Sequence, residues 1–94
     1  MEIQQTENEN GGKFYIEEND LNIALMTYRK AENGVINIDH TEVDSNHRGE
    51  GFGEDLVAEA VKFARKNNLK IAATCPFADK ALHKMTEVQD VLAV

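Results

Sequence analysis

Short apolar and aromatic runs separated by polar turns dominate the chain from residue 13 onward. Residues 13–17 (KFYIE) and 21–30 (LNIALMTYRK) are rich in aromatic and branched side chains, which favour strands. Asn33 and Gly34 tolerate the positive φ of a tight reversal, and residues 35–43 (VINIDHTEV) resume strand character. The pattern therefore predicts three consecutive antiparallel strands.

A helix and a further strand are predicted next. From Gly51 to about Asn67 the apolar residues fall at helical spacing, with acidic residues in the first turn and basic residues in the last. Residues 69–75 (LKIAATC) form a short apolar run, typical of a buried strand, which Pro76 ends. Because a strand–helix–strand succession forms a right-handed crossover, this strand is expected to lie parallel to residues 35–43. The fold class is therefore a mixed α/β sheet.

The two ends of the chain carry weaker patterns. Residues 1–12 are polar, without apolar periodicity, and end in two glycines, which predicts a mobile, disordered tail. Residues 78–85 indicate a short helix, and residues 88–94 a turn or a strand. Since 94 residues leave no room for a second core, residues 13–94 are expected to form a single domain.

Side chains in a strand alternate between its two faces, and this predicts an unusual face for residues 35–43. Period two places Ile36, Ile38, His40 and Glu42 on one face and the intervening residues on the other. Two ionisable groups are thus expected to share a face with two isoleucines.

Charge and composition exclude several classes of function. The chain has 10 basic and 17 acidic residues, a net charge of −7, and such a surface repels nucleic acids and anionic membranes. No apolar run approaches the length of a membrane span, and the first residues do not resemble a targeting signal. The single cysteine, Cys75, cannot form an internal disulfide, which fits a reducing compartment. We therefore expect a cytoplasmic protein without nucleic-acid or membrane partners.

The turn-rich segment at residues 48–53 (RGEGFG) lies between a predicted strand and a predicted helix. The start of a helix offers unpaired N–H groups and partial positive charge, so anions bind there. The glycines let the backbone approach a diphosphate, and Arg48 can pair with a phosphate oxygen. The simpler alternative is a connector that only turns the chain. Neither a P-loop ending in GK[ST] nor a GxGxxG dinucleotide motif is present.

Three motifs in order carry a resemblance to a known family. The RxxGxG pattern at residues 48–53 resembles the pyrophosphate motif of GNAT acetyltransferases, and with HTEV at 40–43 and CPF at 75–77 it resembles a subfamily of very small GNAT-like proteins. After CPF, relatives usually continue into an aromatic-containing segment, whereas residues 78–88 are ADKALHKMTEV.

The resemblance implies a cofactor and its site. In this superfamily two central parallel strands splay apart, here residues 35–43 and 69–75, and the pantetheine arm of acetyl-coenzyme A (acetyl-CoA) lies between them like an added strand. The cofactor-binding residues implied are Thr41, Val43, Arg48, Gly49, Glu50, Gly51, Phe52, Gly53 and Glu54.

Three side chains are candidates for the chemistry of acetyl transfer. Direct transfer needs a general base near the thioester, and Glu42 and His40 lie towards the end of the strand that the resemblance places beside it. Cys75, at the end of the neighbouring strand, offers a thiolate as acetyl acceptor. Structural alternatives stay open: His40 as a buried hydrogen-bonding group, Glu42 as a solvated strand-end charge, and Cys75 as a small buried hydrophobe. A zinc site from Cys75, His40 and His83 lacks the paired ligand spacing and is not expected.

The leading hypothesis is an acetyl-CoA-dependent N-acetyltransferase acting on an unidentified amine, such as a polyamine, a protein lysine or an N-terminus. The first alternative is a non-catalytic module that binds or senses acetyl-CoA. The second is a structural protein with a vestigial site, which predicts no stabilisation by ligand. The residues do not choose the acceptor or the oligomeric state.

Overall fold

Five strands form one sheet in the computed structural model, which describes residues 2–93, and they lie side by side in the order of the sequence. The strands are β1 (Gln4–Glu7), β2 (Gly11–Glu18), β3 (Leu21–Lys30), β4 (Val35–Val43) and β5 (Lys70–Ala73). Strands β1 to β4 pair antiparallel, and β5 pairs parallel to β4. The predicted mixed sheet is confirmed, with its antiparallel strands and its parallel crossover strand.

Two helices follow the antiparallel strands. Helix α1 (Phe52–Asn67) has Gly51 as its N-cap, and Asn68 ends it in a left-handed conformation with φ of 56°. Helix α2 (Pro76–Lys84) begins earlier than predicted, since proline suits the first position of a helix. Short 3₁₀ turns occupy Ser45–His47 and Gln89–Val91, and Leu92 forms an isolated parallel bridge with Ile71. Neither α1 nor α2 combines the length and apolarity of a membrane-spanning segment.

The prediction of a disordered tail over residues 1–12 is wrong for β1 and for the start of β2; residue 1 lies outside the described residues. Glu7 accepts a hydrogen bond from the Tyr28 hydroxyl at 2.7 Å, and that hydroxyl accepts one from the Gln5 amide at 2.8 Å. Lys30 Nζ adds an ion pair with Glu7 at 3.1 Å. Because β1 is a mostly exposed, polar edge strand, it has no apolar alternation by which the sequence could reveal it.

Burial raises the pKa of Tyr28 to about 12, and its hydrogen bond to Glu7 acts in the same direction. The ring of Tyr28 lies in an aromatic cluster with Phe14 and Phe63. This tyrosine therefore joins the edge strand to the interior of the protein.

The core lies where α1 and α2 meet the sheet. Helix α1 contacts β2, β3, β4 and β5, α2 contacts β4 and β5, and the two helices contact each other. The largest fully buried side chains are those of Phe14, Ile16, Met26, Ile36, Ile38, Leu56, Val57 and Ile71. They belong to one cluster of buried residues, as the amphipathic spacing of α1 requires.

A β-bulge interrupts β4 at Asp39. Tyr28 pairs with Ile38, but the preceding residue, Thr27, pairs with His40, so Asp39 is the extra residue on β4. The Thr27 hydroxyl donates a hydrogen bond to the Asp39 carboxylate. A bulge bends its strand and shifts the alternation of the side chains that follow by one position.

The predicted face of β4 is therefore wrong beyond Ile38. Thr41 and Val43, not His40 and Glu42, lie opposite the buried positions of β3 and are partly buried. His40 and Glu42 lie on the other face, with side chains 56% and 63% exposed. Strict period two fails here because the bulge adds a residue that alternation does not count.

Candidate functional site

A cavity of about 580 Å³ lies between the end of β4, the loop that follows it and the first turn of α1. Its lining consists of Thr41, Glu42, Val43, His47, Arg48, Gly49, Gly51, Phe52, Gly53, Glu54 and Phe77. The structure thus brings together every predicted cofactor-binding residue except Glu50.

The loop positions the start of α1 at this cavity. Asp44 begins the 3₁₀ turn, its carboxylate accepting a hydrogen bond from the Asn46 N–H at 3.1 Å. The first hydrogen bond of α1 runs from the Asp55 N–H to the Gly51 carbonyl at 3.0 Å. The N–H groups of residues 51–54 therefore have no partner within the helix. Together with the helix dipole they form a site suited to an anion.

Two of the loop glycines are required by their backbone conformation. Gly49 and Gly51 have φ of 84° and 82°, in the left-handed region that side chains with a Cβ disfavour. A Cβ at either position would meet nothing within 4 Å. The backbone here thus faces open space, which leaves room for a ligand to approach closely.

Gly53 has a different role, because Phe77 packs against it. A Cβ at Gly53 would lie 2.6 Å from Cζ of the Phe77 ring, and Phe77 is 39% exposed and lines the cavity. Phe77 was not among the predicted site residues. Its place in the CPF motif was the only indication in the sequence. No local sequence pattern predicts that α2 packs against the start of α1.

His47 lies between two acidic side chains beside the loop. Its Nδ1 is 3.3 Å from Oε1 of Glu50, its Nε2 is 3.8 Å from Oε1 of Glu18, and its ring packs at 5.8 Å from the ring of Phe52. Glu50 is thus directed towards His47 and stays outside the lining. Arg48 is the lining residue with a permanent positive charge, and Glu42 and Glu54 are the acidic ones.

Strands β4 and β5 separate at the inner end of the cavity. Their pairing ends with Ile38 and Ala73, and the N–H groups of Thr74 and Cys75 both donate to the Ile38 carbonyl, at 3.0 and 3.1 Å. Beyond this point β4 continues to Val43 without a partner in β5. Pairing stops next to the bulge because β5 is only Lys70–Ala73, shorter than the predicted strand over residues 69–75: the chain turns at Thr74 and Cys75 into α2, which Pro76 begins.

Cys75 lies just after the last paired residues of β4 and β5. It is 7% exposed, and its Sγ is 3.4 Å from Oγ1 of Thr41, which lines the cavity. Cys75 is also the N-cap residue of α2. The thiol is thus one side chain behind the cavity wall, and Thr41 lies between the two.

The other two predicted catalytic residues form a pair on the uncovered face of the sheet. His40 Nε2 is 3.2 Å from Oε2 of Glu42. Glu42 lines the cavity, but His40 does not. The three candidates therefore do not converge on one point, because the bulge turns His40 away from Cys75. Among residues 2–93, no three His, Cys, Asp or Glu side chains are arranged to hold a metal ion.

Comparison with known proteins identifies the family. A family model described as GCN5-related N-acetyl-transferase matches residues 13–91. The chain belongs to this family. A GCN5-like protein of Staphylococcus aureus, whose solution structure was solved by NMR, is 46% identical and superposes with a TM-score of 0.76, over 97% of this chain and 86% of that one. The predicted family and fold class are confirmed.

Two more distant proteins are similar to this chain, one in sequence and the other in fold. Human protein NATD1 is 30% identical over 57 residues, which are 61% of this chain and 50% of that protein, so the match spans about half of its length. A structure described as a streptothricin acetyltransferase of Bacillus anthracis, in complex with acetyl coenzyme A, superposes with a TM-score of 0.63 at 23% identity. That superposition covers 79% of this chain and 48% of the other.

Proposed function

We propose that this protein binds acetyl-CoA in the cavity at the start of α1 and transfers its acetyl group to an amine. One observation carries the proposal: the unpartnered N–H groups of residues 51–54 and the side chain of Arg48 border the same cavity as the free end of β4. Membership of an N-acetyltransferase family supports it. The identity of the amine is open.

The residues fit the chemical parts of coenzyme A. The N–H groups at the start of α1 and the Arg48 guanidinium suit a pyrophosphate, and no Cβ at Gly49 or Gly51 blocks its approach. The end of β4, from Thr41 to Val43, has no partner in β5 and suits the amide groups of the pantetheine arm. The Phe77 ring supplies an apolar wall. Acetyl-CoA would supply an acyl group activated as a thioester.

Cys75 is the residue that we propose as the first acetyl acceptor. Its thiolate attacks the thioester carbonyl carbon, a new C–S bond forms at Cys75, and the coenzyme thiolate leaves. A neutral amine then attacks the acetylated cysteine, the C–N bond forms, and the Cys75 sulfur leaves as thiolate while the proton of the amine passes to a base. We prefer Cys75 to His40 because its thiol contacts Thr41 of the cavity wall, whereas His40 lies on the opposite face of the sheet.

In a direct transfer, Glu42 would accept the proton of the attacking amine, since Glu42 lines the cavity. His40 would hold the Glu42 carboxylate in position or pass the proton on to solvent. Here the C–N bond forms as the thioester C–S bond breaks, and the coenzyme leaves as a thiolate. The His40–Glu42 pair is solvent-accessible on the uncovered face, so an amine can reach it.

A non-catalytic acetyl-CoA-binding module is the second candidate function. It is favoured by the position of His40, which the bulge directs away from the cavity. Such a module predicts tight, saturable binding of acetyl-CoA without release of free coenzyme in the presence of amines.

Binding is tested first, by a two-dimensional amide NMR titration with acetyl-CoA, coenzyme A and ATP. We expect shifts at Val43 and residues 48–54 with both forms of the coenzyme, and shifts at Cys75 that require the acetyl group. If millimolar acetyl-CoA leaves the loop amides unmoved, the cavity is not a coenzyme site and the proposed function fails.

Turnover is tested by the release of free coenzyme A with a polyamine, a lysine-containing peptide and a peptide with a free N-terminus as acceptors. Intact-mass measurement reads the first step, because Cys75 is the single cysteine of the chain. We expect one acetyl group on the wild type and none on Cys75→Ser, which retains binding. His40→Ala is the matched variant on the other face. Turnover that survives Cys75→Ser but not Glu42→Gln would establish the direct route, and binding without turnover would establish the module.

A further inference from the structure

Thr41 is the one polar side chain within residues 35–43 that lies on the face of the sheet covered by the helices. The other residues of β4 on that face are apolar: Ile36, Ile38 and Val43. Thr41 itself pairs with Met26 of β3, which is fully buried. Valine has almost the same shape as threonine and carries no hydroxyl that must be separated from water. Packing alone therefore gives no reason for a hydroxyl at this position.

The hydroxyl of Thr41 contacts the thiol of Cys75. Oγ1 of Thr41 lies 3.4 Å from Sγ of Cys75, and either atom can donate a hydrogen bond to the other. Within residues 2–93 this contact is the only side-chain hydrogen bond of either residue. Although Cys75 is the N-cap of α2, its side chain makes no capping hydrogen bond with that helix. Each of the two groups is thus the hydrogen-bond partner of the other.

A buried thiolate needs a hydrogen-bond donor. Cys75 is 7% exposed, and a charge removed from water is costly unless a donor replaces the solvent. A neutral thiol can donate to the oxygen of the Thr41 hydroxyl, and a thiolate can accept from the same hydroxyl. Thr41 therefore suits both protonation states of Cys75.

We propose that Thr41 is a positioning residue for Cys75, whose thiolate it orients and stabilises by a hydrogen bond. This inference rests on the proposed function, which makes Cys75 the acetyl acceptor. Because Thr41 lines the cavity, a sulfur held on its hydroxyl faces the side from which acetyl-CoA arrives.

The hydroxyl of Thr41 keeps its own proton during the reaction. The proton of the thiol passes to water, and the hydroxyl then donates its hydrogen bond to the thiolate. The thiolate attacks the thioester carbonyl carbon, a C–S bond forms at Cys75, and the coenzyme leaves as a thiolate. Thr41 thus acts through Cys75 and takes no part in bond making.

A barrier is the competing role for Thr41, because its side chain lies between the thiol and the cavity. A barrier slows the attack, so a smaller side chain would speed it. Removal of a hydrogen-bond donor has the opposite effect. The two roles therefore predict opposite results for Thr41→Ala, and only the positioning role makes the hydroxyl itself necessary.

The rate at which acetyl-CoA acetylates Cys75, measured by intact mass without an amine, tests the proposal. Cys75 is the single cysteine of the chain, so Cys75→Ser gives the background of acetylation at other residues. Thr41→Val keeps the shape and loses the hydroxyl. Since one hydrogen bond to a charged group is lost, it should react roughly tenfold more slowly at saturating acetyl-CoA, with an unchanged Kd. Thr41→Ser keeps the hydroxyl and should react nearly as fast as the wild type.

Thr74→Val is the matched control for the loss of a hydroxyl next to Cys75. The Thr74 hydroxyl accepts a hydrogen bond from the Asn37 amide at 3.0 Å, and Thr74 does not line the cavity. This variant should therefore react at the wild-type rate. Urea unfolding of both valine variants checks that a slower reaction does not come from a destabilised fold.

Alkylation by iodoacetamide measures the same contact without the coenzyme. The thiolate of Cys75 displaces iodide and forms a C–S bond, so the rate does not depend on an acetyl-CoA site. Thr41→Val should slow this reaction, and Thr41→Ser should restore it. Wild-type rates for Thr41→Val in both reactions, or a faster reaction of Thr41→Ala, overturn the positioning role and leave the proposed function standing. Failure of acetyl-CoA to bind overturns both, and the binding titration shows that outcome separately from the rates.

Discussion

Replacing Gly51 by alanine separates the cost of a strained backbone from the loss of a ligand site. Gly51 has φ of 82°, and alanine in this left-handed region costs about 1–2 kcal/mol, of which part is offset in the unfolded state. A net loss of about 1 kcal/mol lowers the Tm of a domain of this size by roughly 4–8 °C. Since an ideal Cβ would meet no atom within 4 Å, no steric clash adds to this strain.

The same methyl group acts differently on binding. It projects from the residue that caps α1, next to the N–H groups on which the proposed pyrophosphate lies. Loss of one hydrogen bond to a charged group costs about 1.5–3 kcal/mol. We therefore expect Gly51→Ala to bind acetyl-CoA roughly tenfold to a hundredfold more weakly than the wild type.

Gly34→Ala is the matched control. Gly34 has φ of 72°, its ideal Cβ has no neighbour closer than 4.0 Å, and it lies in the turn between β3 and β4, outside the lining of the cavity. Urea unfolding should show similar losses of stability for the two variants, and calorimetry should show weaker acetyl-CoA binding for Gly51→Ala alone. Equal affinities of the two variants for acetyl-CoA would contradict the proposed pyrophosphate site at the start of α1.

Three further predictions concern charge and backbone geometry. The hydrogen bond from Arg65 holds the pKa of Asp90 below its usual range. The ion pair therefore stabilises the fold at pH values above that range, and this stabilisation disappears as the pH falls through the lowered pKa. Asp90→Asn should lower the Tm at neutral pH, and the difference from the wild type should vanish in acid. Burial raises the pKa of Tyr28 to about 12, above the ordinary tyrosine pKa near 10. The contribution of this hydroxyl to the free energy of unfolding is therefore complete below about pH 10 and is lost as the pH rises towards 12. Tyr28→Phe should cost about 1–2 kcal/mol in urea unfolding at pH 8 and less at pH 11. Deleting Asp39 removes the bulge and should weaken acetyl-CoA binding at least about tenfold by calorimetry, whereas Asp39→Ala keeps the bulge and the affinity.

Much of the fold follows from local pattern. The bounds of α1 are clear because a glycine-rich loop precedes it and Asn68 adopts the left-handed conformation after it. Strands β3 and β4 begin and end as their apolar runs predict. Strand β1 escaped prediction because backbone pairing and the Tyr28 hydroxyl hold it, and neither leaves an apolar pattern in the sequence.

The candidate site was predictable to the extent that it is contiguous in sequence. The loop after β4 and the first turn of α1 are one segment, so their glycines, Arg48 and the cap of the helix could be located together. The place of Phe77 at the cavity depends on how α2 packs against α1, which is a long-range property of the fold. Alternation could not foresee the placement of His40, because a bulge leaves no compositional mark on the strand that carries it.

The bulge in β4 also affects both the cavity and the placement of the candidate catalytic residues. Strand β4 follows β5 up to Ile38, and Asp39 is the next residue, so the strand bends where its pairing with β5 ends. Strand β5 ends at the same place, because Ala73 is its last residue and Cys75 is already the N-cap of α2. The end of β4 therefore has no partner in β5 at the cavity, and the extra residue of the bulge places Thr41 next to the Cys75 thiol. One extra residue thus puts Thr41 on the side of Cys75 and removes His40 from that side, at the place that we propose for the pantetheine arm. For this reason a catalytic role for the cysteine accords better with the geometry of β4 than one for the histidine.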